Sequence, residues 1–138
     1  MIQKTLLDTD ILSYYLKGDI GVAKRVEIYL QNFPVLSISQ ITQYEILGGL
    51  EYKNATRQIR KFEIFLLDCE ILHLTEDTIK IAAKEYGKLK RKGITIGNSD
   101  ILIASTALSY NMFLATNNEK HFKNIDGLQI DNWKKKNV

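Results

Sequence analysis

Short apolar runs separated by longer stretches of helical period constrain this chain more than any other feature. Leu6-Leu7, Val35 to Ile38, Glu70 to Leu74 and Met112 to Ala115 read as brief, buried-type strands. Between them, Ile79, Ala82, Ala83, Tyr86 and Leu89 form one helical stripe, opened by Thr75 with Glu76 and Asp77 and closed by Lys90-Arg91-Lys92-Gly93. A further helix is expected from Asn54, with Ile59, Phe62, Phe65 and Leu66 turned inward. Strands alternating with helices imply an α/β fold whose mainly parallel sheet is covered on both faces. Leu128 to Ile130 is a candidate last edge strand. No repeat, linker or low-complexity tract divides the 138 residues, so one domain over residues 1–133 is expected, followed by a short basic tail, 134–138.

The net charge of +3, from 19 basic and 16 acidic residues, permits a polyanionic partner without requiring one. A single cysteine, Cys69, excludes an internal disulfide, and its apolar neighbours assign it to core packing. No apolar run approaches the roughly 18 residues of a membrane span, and the N-terminal segment is too short and polar for a secretory signal. A soluble cytoplasmic protein with no membrane partner is the expectation.

Three carboxylates stand where an apolar stretch should end or face a core. Asp8 follows the first strand, at the sheet edge where ligands of such folds collect. Asp8-Thr9-Asp10 can cap the helix carrying Ile11, Leu12, Tyr15 and Leu16, but one helix needs one cap, and Thr9 or Asp10 can leave Asp8 spare. Glu45, on a helix capped by Ser39, shares a face with Ile41 and Gly48; the bland alternative is a half-exposed surface glutamate. Gly48-Gly49 suggests close backbone approach there, and Thr42 is placed to orient Glu45. Asp100 lies in the first turn of an apolar helix beginning near Asn98, where helix-dipole complementarity alone can explain it. Asn98 and Ser99 nevertheless offer caps of their own. Two carboxylates about 4 Å apart repel by roughly 4 kcal/mol at an effective dielectric of 20. If the fold gathers all three, a divalent cation is the economical compensation.

The stretches Leu6-Leu7-Asp8-Thr9-Asp10-Ile11-Leu12, Ser39-Gln40-Ile41-Thr42-Gln43-Tyr44-Glu45-Ile46, Gly97-Asn98-Ser99-Asp100-Ile101-Leu102-Ile103-Ala104 and Leu114-Ala115-Thr116-Asn117-Asn118 resemble, in that order, the PIN-domain nucleases, and most closely the VapC toxins. The closing stretch from His121 to Trp133 also resembles the VapC C-terminus. The resemblance implies a Rossmann-like three-layer α/β/α sandwich, metal-dependent endoribonuclease activity and neutralisation by a small cognate antitoxin. It places Asp8, Glu45 and Asp100 at the catalytic, metal-ligating positions and Thr9, Ser39 and Thr116 at small polar positions supporting them. Asn118 stands where many relatives carry a fourth acid, which removes a charge and weakens the case for a second metal; Glu119 could replace it only if the loop turns differently.

On this reading Mg²⁺ or Mn²⁺ is bound mainly by Asp8 and Asp100, while Glu45 ligates through water or orients the nucleophile. His121 is read as a structural or surface group rather than a general acid. Lys90, Arg91 and Lys92, with Lys84 and Lys88 beside them, are candidate RNA contacts, as is the Lys134-Lys135-Lys136 tail. The apolar side chains of residues 39–67, among them Tyr44, Leu47, Leu50, Tyr52, Phe62 and Phe65, suggest a homodimer and, by the resemblance, an antitoxin groove. Two alternatives remain open: a catalytically weak PIN domain acting as an RNA or protein scaffold, and a receiver-like Mg²⁺-binding module. The second lacks an aspartate directly after Glu70 to Leu74.

Overall fold

The structure is a computed structural model that describes residues 2–135. Five strands form one parallel sheet in the order β3-β2-β1-β4-β5: β1 Thr5–Leu7, β2 Leu36–Ser39, β3 Cys69–Leu72, β4 Phe113–Ala115 and β5 Ile130–Asp131. The helices are α1 Thr9–Leu16, α2 Ile20–Leu30, α3 Gln40–Tyr52, α4 Thr56–Leu66, α5 Glu76–Arg91, α6 Asn98–Ser109 and α7 Glu119–Phe122. The expected three-layer α/β/α sandwich is therefore present, with a sheet that is wholly parallel.

Strand alternation divides the core. Leu7 and Ala115 face Ile11, Val22, Val26 and Phe62 on the α1, α2 and α4 side. Their neighbours Leu6 and Leu114 face Leu89, Ile103, Ala107 and Phe122 on the α5 and α6 side. The central strands are thus buried on both faces, which is why they read as apolar runs rather than alternating ones.

Pairing with neighbours shifts some expected boundaries. The second strand is displaced by one residue to reach Ser39, and the third starts at Cys69, each following the register Leu36↔Cys69 to Ser39↔Leu72. The last strand begins at Ile130, opposite Leu114, rather than at Leu128. The helix expected from Asn54 begins at Thr56, because Asn54 adopts a left-handed turn with φ 53°. Helix α2, capped by Asp19, was not among the elements the sequence reading singled out.

The inward face of α5 is the largest departure. Thr78, Ala82, Glu85 and Leu89 are buried, whereas Ile79 and Tyr86 are about half exposed and Ala83 is exposed. Polar partners make this rotation tolerable. Thr78 Oγ1 hydrogen bonds Ser109 Oγ at 2.8 Å, and Glu85 accepts from Asp126 N and pairs with Lys88. Cys69 is half-buried and burial pushes its thiol up to about 11, consistent with a packing role.

Candidate metal centre

The adjacent strands β1 and β4 send their chains to different sides of the order, opening a crevice beyond Leu7 and Ala115. Asp8 stands there as the N-cap of α1, only 3% exposed, with its own N–H donating to Ala115 O at 2.9 Å. Its Oδ1 accepts from Thr9 N (2.8 Å) and its Oδ2 from Thr116 Oγ1 (2.8 Å). Burial, then the neighbouring Asp10 carboxylate, and more weakly Asp100, raise its pKa to about 7 against the pull of those hydrogen bonds. No ion pair reaches Asp8 among the described residues.

Asp10 occupies the same crowded corner. Its carboxylate accepts from Ile11 N (2.7 Å) and from Asn117 N (3.0 Å), tying α1 to the loop after β4. Burial raises its pKa, and Asp100 adds to the effect. The cap of α1 is Asp8 itself, not Thr9 or Asp10 as the sequence suggested, because Asp8 is the extended residue directly after β1; Asp10 sits in the first turn and braces the corner.

Glu45 reaches the centre through a relay of hydroxyls. Thr9 Oγ1 donates to Glu45 Oε1 at 2.7 Å, so its contact with Thr42 Oγ1 at 2.9 Å must be donated by Thr42. Thr42 Oγ1 in turn accepts from Ser39 Oγ at 3.3 Å, while Ser39 Oγ accepts from Thr42 N as the cap of α3. Thr9, rather than Thr42, therefore orients Glu45, and Ser39 and Thr42 support Thr9. The expected close approach at Gly48-Gly49 is absent: a Cβ at either position meets nothing within 4 Å.

Asp100 lies in the first turn of α6, where Oδ2 contacts His121 Nδ1 at 2.9 Å. The helix N-cap is Gly97, without a side-chain bond, so Asn98 and Ser99 do not cap it as expected. The dipole of α6 is left to Asp100 and whatever Asp100 binds. His121, treated in sequence as a surface or structural group, is half-exposed and directly engaged with this carboxylate.

The crevice thus gathers Asp8, Asp10 and Asp100 electrostatically and joins Glu45 to them through Thr9. The donors are all oxygen, as a hard divalent cation prefers, and their crowding is what such an ion relieves. As placed, no three His, Cys, Asp or Glu side chains among the described residues form a cage around one point. Thr9 holds Glu45, and His121 engages Asp100, at the two ends of this arrangement.

Thr116 is completely buried, and its hydroxyl accepts from Asn118 N at 3.0 Å while donating to Asp8. Asn118 therefore supports the centre through its backbone, with its side chain exposed. Glu119 does not supply the missing charge: its Oε2 accepts from Asn132 Nδ2 (2.9 Å) and pairs with Lys135 (2.7 Å), and these contacts, Lys135 foremost, lower its pKa.

The candidate basic contacts differ among themselves. Lys88 is committed to Glu85 and Asp126, and Lys90 Nζ bonds Tyr86 Oη at 3.0 Å while lying over that ring. Arg91 and Lys92 are exposed and form no ion pair among the described residues. In the tail, Lys134 pairs with Asp19 and Lys135 with Glu119, whereas Lys136 lies outside the described residues. No helix among the described residues is long and apolar enough to cross a membrane.

Comparison with known proteins agrees with this arrangement. The PIN domain model matches residues 5–128. Ribonuclease VapC1 of Haemophilus influenzae is 36% identical over 132 residues, covering 94% of this chain and 98% of that protein. Ribonuclease VapC2 of Rickettsia felis is 34% identical over 137 residues, with the same shares covered. Among solved structures, VapBC2 of Rickettsia felis bound to a DNA fragment from its promoter superimposes with a TM-score of 0.85 at 33% identity, over 94% of this chain and 98% of that one. With its sheet order, its crevice acids and near full-length similarity in agreement, the chain belongs to the PIN-domain family and to the VapC group within it.

Proposed function

We propose that this protein is a VapC-type endoribonuclease, the toxin of a toxin–antitoxin pair, and that Asp8, Asp100 and Glu45 form its catalytic centre. The observation that carries the reading is Asp8, a nearly inaccessible carboxylate at the end of a central strand, crowded by Asp10 and Asp100 and in no ion pair among the described residues. A structural carboxylate in such a place ordinarily acquires a partner.

Asp8 and Asp100 would hold Mg²⁺ or Mn²⁺, which when bound supplies charge neutralisation at the scissile phosphate and a lowered pKa for the attacking water. The chain's own groups perform the positioning. Thr116 and the Thr9 N–H fix both oxygens of Asp8. Thr9 Oγ1 holds Glu45 Oε1, and Glu45 Oε2 would be free to orient an attacking water. The Ser39–Thr42–Thr9 relay locks α3 against α1, so Glu45 and Asp8 keep a common frame. Asn118 contributes no fourth charge, and one tightly held ion is the stoichiometry this donor set supports.

The partners follow from the same reading: an RNA substrate, a small cognate antitoxin and a second copy of this chain. Support for the last two is the exposed apolar surface of α3 and α4, where Tyr44 is 72%, Tyr52 88% and Ile64 66% exposed. Leu47, Leu50 and Phe65, which sequence reading grouped with them, pack on the core, and Phe62 is buried. Purified protein freed of antitoxin should cut total cellular RNA to discrete products, and Asp8→Asn and Asp100→Asn should abolish them with fold and RNA binding retained. Undiminished products from either variant would overturn the assignment. A monomeric mass in light scattering at micromolar concentration would remove the homodimer.

A further inference from the structure

We infer that His121 is the positioning residue for Asp100: its Nδ1–H holds one oxygen of that carboxylate and leaves the other for a divalent ion. This rests on the ribonuclease reading and adds to it the residue that orients the second aspartate of its centre. One short segment carries the inference. Between Thr116 and His121 the chain supplies a donor to each of three aspartates: Thr116 Oγ1 to Asp8 Oδ2 at 2.8 Å, Asn117 N to Asp10 Oδ2 at 3.0 Å and His121 Nδ1 to Asp100 Oδ2 at 2.9 Å. An ionised carboxylate only accepts, so Nδ1 carries the hydrogen of the last bond. The aspartates themselves come from two places, the junction of β1 with α1 and the first turn of α6. Among the described residues, no other segment donates to all three.

The segment is held on both sides. Phe122, next to His121, is fully buried in the core that includes Ile103 and Ala107 of α6, which pins α7 to that helix. His121 N donates to Asn118 O at 3.0 Å. From the other side, Asn132 Nδ2 donates to Asn117 Oδ1 at 3.1 Å and to Glu119 Oε2 at 2.9 Å, and Lys135 pairs with Glu119 at 2.7 Å. The imidazole therefore reaches Asp100 from a backbone that is already fixed.

Asp100 depends on that reach. Asp8 has both oxygens bonded, and Glu45 has Oε1 held by Thr9. Among the described residues, the only hydrogen bond to the Asp100 side chain is the one from His121, on Oδ2. Holding one oxygen of a ligating carboxylate turns its other lone pairs in a set direction. The His121 side chain is 57% exposed, and an exposed pairing of this kind contributes little to stability. Orientation of Asp100 is what the contact achieves.

The test is Mn²⁺ binding, by isothermal titration calorimetry at one fixed pH, to antitoxin-free wild type and to His121→Ala, His121→Asn and His121→Gln. Asparagine places its amide N–H near the position of Nδ1, and glutamine near that of Nε2. His121→Ala and His121→Gln should weaken Mn²⁺ binding about tenfold, and His121→Asn should recover most of the loss. Cleavage of total cellular RNA should follow the same order. Wild-type affinity in His121→Ala, recovery by glutamine instead of asparagine, an asparagine variant no better than alanine, or no Mn²⁺ binding by the wild type overturns the inference. Because the side chain is exposed, all four proteins should melt alike without metal. The two readings fail separately. A protein that cuts RNA but binds Mn²⁺ equally well without His121 loses the positioning role alone; one whose Mn²⁺ binding needs His121 but that cuts no RNA loses the ribonuclease reading alone.

Discussion

The carboxylates of this protein fall into two populations. Around the periphery, several acids have acquired a basic partner: Glu70 meets the Ser37 hydroxyl and Lys4, Asp131 meets Arg25 and the Trp133 indole N–H, and Asp19 meets Lys134. Glu70, Asp19, Asp126 and Glu119 are accordingly held below their ordinary pKa values. At the end of β1 and β4 the opposite holds: Asp8 and Asp10 are raised, by burial first, with the Asp10 charge adding to the effect on Asp8 and the Asp100 charge to the effect on both. Among the described residues, no basic side chain pairs with either of these two. A buried carboxylate raised in this way costs stability, and on the proposed function it is this cost that a bound cation would relieve.

Asp8→Asn should break the comparison most sharply. Losing several kcal/mol of charge stabilisation should reduce cleavage by about a thousandfold, while the variant melts higher than wild type at pH 8 without metal, as differential scanning calorimetry would show. A destabilised variant would mean that Asp8 is an ordinary structural cap.

The second test is pH. Because folding raises the Asp8 pKa from 3.8 to about 7, its contribution favours the folded state below pH 4 and is lost as pH rises through 7. Metal-free protein should lose on the order of 4 kcal/mol of stability across that window from this group, measured by denaturant unfolding. Mg²⁺ should restore part of it, and Asp8→Asn should flatten the profile. Equal profiles for wild type and variant would contradict the crowding described here.

Thr9→Val probes the relay rather than the charge. It frees Glu45 Oε1 and should lower kcat about 10- to 100-fold with little change in KM. Restoration by Thr9→Ser would distinguish a positioning hydroxyl from a packing methyl. At the small end, Asp131→Asn weakens its pairing with Arg25 and should cost about 1 kcal/mol of stability while leaving cleavage intact. Lost activity there would blur the division between the two populations.

The sheet was legible in the sequence because strands buried on both faces are apolar throughout, and Asp8 was legible because a charge directly after such a run is anomalous. The rotation of α5 was not, since burying Glu85 depends on Lys88 and on the backbone of Asp126, a residue far along the chain. The link from Thr9 to Glu45 was hidden for the same reason: it spans two helices brought together by the sheet. Capping at α6 misled because Asn98 and Ser99 are good caps in isolation, while the chain turns at Gly97. The Lys90 to Lys92 cluster stood out as consecutive charges, whereas His121 and Asp100 meet only in three dimensions.

Cleavage of total cellular RNA by antitoxin-free protein in Mg²⁺, in Mn²⁺ and in excess EDTA tests the central claim most directly. The uncompensated Asp8 corner predicts discrete products with a divalent cation and none in EDTA, with activity recovered on adding the ion back. Equal cleavage in all three conditions would show that the corner needs no cation and would contradict the account.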